Sequence, residues 1–218
     1  MAPSRSPSRK ERLAEADAAL AGADPVMARL VEGMGPCAIP VRRLPGGHFG
    51  ALARSILYQQ LAGKAAFAIH GRFAALFEEG TPTAQAVAAL PDTALRSAGL
   101  SGSKAASIRD LAERVVDGRL RLDDLPRRSD EQVVDRLVAV RGIGRWTAEM
   151  FLIFTLGRLD VWPVGDYGVR SGFARANRLP ETPKPKDLMV LGEPYRPWRT
   201  AAAWYCWRAA EDKGLSAG

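Results

Sequence analysis

Between Leu137 and Ala148 the chain reads LVAVRGIGRWTA, and no other stretch restricts the fold as tightly. An apolar helical stripe ends, two glycines flank one apolar residue, and a second helix begins without a linker. Glycine tolerates positive φ and carries no Cβ to hold another backbone away. Ile143 is placed to point inward and lock the hairpin. The N–H groups that open the second helix lack intrahelical partners, and with the helix dipole they form an anion site. In that role Gly142, Ile143, Gly144, Arg145 and Thr147 are the candidate phosphate contacts, and such a grip reads no base. The competing reading is an ordinary turn whose glycines serve only as caps.

The flanking segments extend the helical reading. Ser129-Asp130-Glu131-Gln132 has the form of a capping box, ahead of a helix carrying Val133, Val134, Leu137 and Val138. Upstream, Leu52, Ile56, Leu57, Phe67, Phe73, Leu76 and Phe77 recur at helical spacing, with a turn at residues 59–63. Thr81-Pro82 offers an N-cap and an N1 proline for a short helix ending before Pro91. Ser103 can cap the next helix and Gly118 can end it. Gly165 and Asp166 open a helix through Val169 and Phe173. Residues 184–197 are proline-rich and read as irregular, and a last helix runs from Trp198 to about Glu211. Period-2 alternation is almost absent, so the expected class is all-α. The opening residues are rich in Ser, Pro and Arg, so 1–15 is expected to be a basic, disordered tail ahead of one domain at 16–218.

Charge narrows the partners. Lys and Arg number 31 against 24 Asp and Glu, a net of +7, which attracts polyanions and nucleic acid first among them. Only two cysteines occur, Cys37 and Cys206, too few for a four-cysteine zinc or iron–sulfur site. They are expected to be unreactive thiols in a reducing compartment. No apolar run is long enough to cross a bilayer, and the start lacks the apolar segment of a secretory signal. The expectation is a cytoplasmic protein without a membrane partner, nucleoid-associated if bacterial. His48 and His70 have no partner at metal or triad spacing.

Asp166 follows Gly144 by 22 positions, just after a Pro-Val-Gly segment. By itself it reads as a helix N-cap. Four stretches together carry more: Ser55 to Leu61 with Lys64-Ala65-Ala66, Arg141 to Met150, Val161 to Gly168, and Arg196-Pro197-Trp198-Arg199. They resemble the helix–hairpin–helix DNA glycosylases, in particular the DNA-3-methyladenine glycosylase II branch, over most of the chain.

The resemblance implies a two-lobed helical fold whose N- and C-terminal segments share one lobe, with the active site in the cleft between lobes. It implies the compact form, without the N-terminal α/β domain of some relatives. It further implies a monomeric enzyme that flips an alkylated base out of double-stranded DNA and hydrolyses its N-glycosidic bond. An abasic site would be left for base excision repair. Asp166 is then the catalytic carboxylate, countering the positive charge that builds on the sugar. Gln60 is the plug that fills the gap in the duplex, with Leu61 beside it. Tyr58, Trp146, Met150 and Trp198 line the base pocket, where a cationic alkylpurine would stack on indole faces. Met150 departs from the aromatic residue of some relatives. Trp146 stands where strand-cutting relatives place a lysine, so the resemblance points to a monofunctional hydrolase. No cofactor is required and no iron–sulfur cluster is expected. A monovalent cation on the backbone carbonyls of Val138, Val140 and Ile143 is the one metal suggested. Trp204 and Trp207 read as core. Two rival readings stand beside this one: a bifunctional glycosylase/lyase, and a non-enzymatic DNA-binding module with no use for Asp166.

Overall fold

The computed structural model describes residues 6–212 except Ala62, and those residues form helices and connecting turns without a strand. Capping chemistry sets most helix starts. Ser8 accepts the Glu11 N–H, and the Glu11 carboxylate accepts the Ser8 N–H, which opens α1 (Arg9–Ala23). The expectation of a disordered tail over 1–15 is therefore corrected. The chain is helical from Arg9, and Leu13 is buried on α1. Met1 to Arg5 lie outside the described residues.

Asp24 caps α2 (Pro25–Met34), with Pro25 at its first position. Then follow α3 (Gly47–Tyr58), α4 (Gly63–Ala74), α5 (Ala84–Ala89), α6 (Asp92–Ser97) and α7 (Gly102–Val116). Two caps differ from the sequence reading. Thr83 rather than Thr81 caps α5, and Ser101 rather than Ser103 caps α7. In each case the residue that accepts from its own N3 N–H wins. Gly118 follows the C-cap of α7 at φ +80°. The Ser129 capping box opens α8 (Asp130–Val138), and α9 (Arg145–Phe151) continues into a π-helical turn at Leu152–Leu156. Asp166 caps α10 (Tyr167–Ala176). The stretch read as irregular contains α11 (Pro185–Leu191), started by Pro185 at its first position. The last helix is α12 (Arg199–Glu211).

Two compact units result, Met1–Pro40 with Gly157–Gly218, and Val41–Leu156. In the first, α10 and α12 pack closely because Gly172 has no side chain: a Cβ there would meet the Cys206 carbonyl. Ala201, Ala202, Ala203 and Ala209 keep α12 narrow where its neighbours pack. Several of its buried polar groups are paired, as burial requires. Tyr205 donates to Asp17 (2.8 Å), whose other oxygen accepts the Cys37 N–H, and Tyr195 donates to Asp24 (2.6 Å). Burial pushes the Cys37 thiol up to about 11 and raises Cys206 further, so neither ionises readily at neutral pH.

In the second unit, α7 packs against α3, α5 and α6, while α8 and α9 pack together. Its core includes Leu52, Ile56, Leu57, Ile108, Leu111, Val133, Leu137 and Phe151. Phe67, placed in the apolar pattern by spacing, is 71% exposed on α4. No helix among the described residues is long and apolar enough to cross a membrane.

Candidate active site

The hairpin is built as its sequence suggests. Val140 N–H donates to the Leu137 carbonyl, Ile143 N–H to Val140, and Ala148 N–H to Gly144, which joins α8 to α9 in one compact turn. Ile143 is buried. Gly142 has φ +77°, and a Cβ there would lie 2.5 Å from the Ser107 hydroxyl of α7, so glycine is required twice over. A Cβ on Gly144 would meet nothing.

Two of the candidate phosphate contacts change character. Thr147 is buried, and its hydroxyl accepts from Gln59 Nε2 (3.3 Å), so any phosphate contact must come from its backbone N–H. The Arg145 guanidinium is bonded to Glu131 (2.6 Å) and Glu149 (3.2 Å), which raises its pKa and commits part of its charge. Of the carbonyls suggested for a cation, that of Val140 accepts the Ile143 N–H. Among the described residues no cluster of His, Cys, Asp or Glu could hold a metal ion.

The turn after α3 stands beside the hairpin. Gln59 Nε2 donates to the Gly142 carbonyl (2.9 Å). Lys104 Nζ donates to the carbonyls of Leu57 (2.6 Å) and Gln59 (2.7 Å), and burial lowers the pKa of its ammonium. Gln60, with φ +54°, and Leu61 are exposed.

A cavity of about 610 Å³ lies within this unit, lined among others by Arg42, Arg54, Tyr58, Gln60, Trp146 and Met150. It brings Tyr58, Trp146 and Met150 together with the turn. Arg54, which the sequence reading did not use, lies 4.0 Å over the Tyr58 ring. Tyr58 also meets His70 edge-on, and burial lowers the His70 pKa. His48 is a structural group, bonded through Nδ1 to the Leu122 carbonyl (2.9 Å).

Asp166 and Trp198 belong to the other unit. Asp166 Oδ1 accepts the Val169 N–H (2.9 Å), the cap of α10, and also the Trp207 indole N–H (2.9 Å). Trp207 therefore has a polar task that the reading as core missed. Gly168 makes room for it, since a Cβ there would sit 3.0 Å from Trp207 Cδ1 and 3.1 Å from Asp166 Oδ1. A second carboxylate of this unit, Asp160, is bound by Arg199 (2.6 Å) and Arg196 (2.9 Å). The guanidinium of Arg12 lies 6.0 Å from the centre of the Trp198 ring. One face each of Tyr58 and Trp198 is thus attended by a protein cation.

Chemically, these parts comprise a glycine hairpin with Gly142 and Gly144 exposed, an exposed turn, an aromatic cavity and a carboxylate that accepts a backbone and an indole N–H. The sequence model described as HhH-GPD superfamily base excision DNA repair protein matches residues 53–197. DNA-3-methyladenine glycosylase 1 of Schizosaccharomyces pombe is 35% identical over 204 residues, covering 91% of this chain and 88% of that protein. A crystal structure of a DNA-3-methyladenine glycosidase from Bacillus halodurans aligns with a TM-score of 0.82 at 36% identity, covering 89% of each chain. A 3-methyladenine DNA glycosylase of Schizosaccharomyces pombe in complex with abasic DNA aligns at 0.77 and 35% identity, covering 89% of this chain and 95% of that one.

Proposed function

Because the chain belongs to the HhH-GPD superfamily of base excision DNA repair proteins, we propose that it releases alkylated bases of the 3-methyladenine type from DNA by hydrolysing the N-glycosidic bond. The similarity to DNA-3-methyladenine glycosylases over nearly the whole chain supports this reading. The observation that carries it is Asp166. An ordinary N-cap needs one backbone bond, yet this carboxylate also receives an indole N–H from a helix 41 positions away. Two donors on one oxygen fix the direction of the carboxylate. A fixed carboxylate offsets the positive charge that develops on deoxyribose as the base departs, and it can orient the attacking water.

The other residues take the following parts. The hairpin N–H groups between Gly142 and Thr147, apart from that of Ile143, which bonds the Val140 carbonyl, hold a backbone phosphate of double-stranded DNA, a contact that suits any sequence. A monovalent cation on the carbonyls of Val138, Val140 and Ile143 would add to that grip. Gln60, with Leu61, fills the stack when the target base leaves it. The base enters the cavity of Tyr58, Trp146 and Met150, and the resemblance of Arg196-Pro197-Trp198-Arg199 to the family motif gives Trp198 a part in holding the base. Trp146 has no amine to attack the sugar, so the product is an intact abasic site, and two cysteines are too few for a four-cysteine iron–sulfur cluster. The protein acts as a monomer in the cytoplasm, or on the nucleoid if bacterial.

Incubation with alkylated duplex DNA tests the reading. Free 3-methyladenine is expected in the supernatant, with no covalent adduct after borohydride. Binding without base release would leave a DNA-binding module, and a trapped adduct would make the protein a lyase.

A further inference from the structure

The turn after α3 and the hairpin are tied to each other and to one face of α7. Lys104, Ser107 and Asp110 are spaced three apart and so lie along one side of that helix. Lys104 Nζ donates to the carbonyls of Leu57 (2.6 Å) and Gln59 (2.7 Å). Ser107 sits beneath Gly142, where no Cβ fits. Asp110 accepts the Arg141 N–H (2.7 Å) and also binds Arg114. Burial alone would raise the Asp110 pKa, but these bonds lower it, so the carboxylate is held charged against the hairpin. Gln59 closes the circuit through the Gly142 carbonyl (2.9 Å) and the Thr147 hydroxyl (3.3 Å).

Within this frame Gln60 is exposed and has φ +54°, a conformation that costs a residue with a Cβ and persists only where neighbours enforce it. The enforcing bonds grip the backbone carbonyls of Leu57 and Gln59, immediately ahead of Gln60. A half-buried ammonium spent on two main-chain oxygens stabilises a shape, and it leaves the Gln60 side chain outside the network.

We propose that Lys104 and Gln59 are positioning residues that hold the Gln60 turn at a set offset from the Gly-Ile-Gly hairpin. A strand gripped at the hairpin then brings its vacated stacking position to Gln60. This rests on the glycosylase function proposed above. It makes the two residues matter most where a base must be drawn from a paired stack. A lesion that already lies unpaired needs less of them.

The test compares single-turnover release of one alkylated purine from a fully paired duplex and from the same sequence opened into a bubble. Wild type, Lys104→Met, Lys104→Arg and Gln59→Met are measured, with thermal melting of each. In Lys104→Met and Gln59→Met the paired-to-bubble rate ratio falls about tenfold, as misplacement of a positioned group predicts. Lys104→Arg, which keeps a long cationic donor, recovers most of the ratio. An unchanged ratio, whether both rates fall together or neither falls, overturns the proposal and leaves the network a scaffold. If Lys104→Met does not fold, the ratio of Gln59→Met decides in the same way. Wild type that releases no base from either substrate instead sinks the glycosylase reading, and this inference with it.

Discussion

The hairpin region and the Asp166 region are held by opposite means. Around the hairpin, side chains are spent on the backbone: Gln59 on the Gly142 carbonyl, Lys104 on those of Leu57 and Gln59, Asp110 on the Arg141 N–H. The side chains at the surface, Gln60 and Leu61, stay exposed. Around Asp166 the reverse holds. A backbone N–H and an indole N–H are spent on one side-chain oxygen, and Gly168 is cleared so that the indole can arrive. A surface that must accept any DNA sequence needs a fixed shape, and main-chain groups provide one. A carboxylate that must face developing charge needs a fixed direction. The two regions are therefore expected to fail differently when damaged.

The largest effect should come from the carboxylate. Asp166→Asn removes its charge while keeping a capping oxygen, and single-turnover base release should fall by about 100-fold or more. Next is Trp207→Phe, which deletes the indole donor. A hydrogen bond to a charged group contributes about 1.5–3 kcal/mol to stability, so melting should fall, and release measured well below the melting point should slow roughly tenfold as the carboxylate loses its fixed direction. If Trp207→Phe keeps the wild-type rate, the indole is only packing. Gly142→Ala should act on the other side of the comparison. Its left-handed backbone and the Ser107 hydroxyl predict a loss of about 1–2 kcal/mol in stability, read by denaturant titration, together with weaker DNA binding. The smallest effect is one of preference. Arg54→Leu withdraws the guanidinium from Tyr58 and should shift relative excision toward cationic lesions over neutral ones such as hypoxanthine by about two- to fivefold. An unchanged lesion panel would show that Arg54 does not tune the cavity.

What could be read in advance follows the range of the interactions. The hairpin, the Ser129 capping box and the Asp166 cap close within a few residues, and their patterns are complete in the local sequence. Ser8 and Glu11 form the same Ser-x-x-Glu pattern, a signal present in the sequence but masked by the composition of the segment around it. The Thr83 and Ser101 caps each compete with another hydroxyl two residues away, and which one accepts depends on where the helix settles. Trp207 bonds Asp166 across 41 positions, and Lys104 reaches Leu57 and Gln59 across 47 and 45, so no local pattern marks either. In Gln59-Gln60 two identical side chains take opposite tasks. Gln59 turns inward to the hairpin, while Gln60 is exposed because its φ is positive, a sign that composition does not carry.

If a fixed shape holds DNA and the Asp166 carboxylate breaks the bond, one paired measurement separates the two parts. Asp166→Asn and Gly142→Ala are titrated against the same duplex containing one alkylated purine, with binding followed by fluorescence anisotropy and base release followed at saturating protein. Asp166→Asn should bind like wild type and release almost no base. Gly142→Ala should bind more weakly and, once saturated, lose far less of its release rate than Asp166→Asn. Near-normal release by Asp166→Asn, or equal losses of binding and release in both variants, would contradict the account.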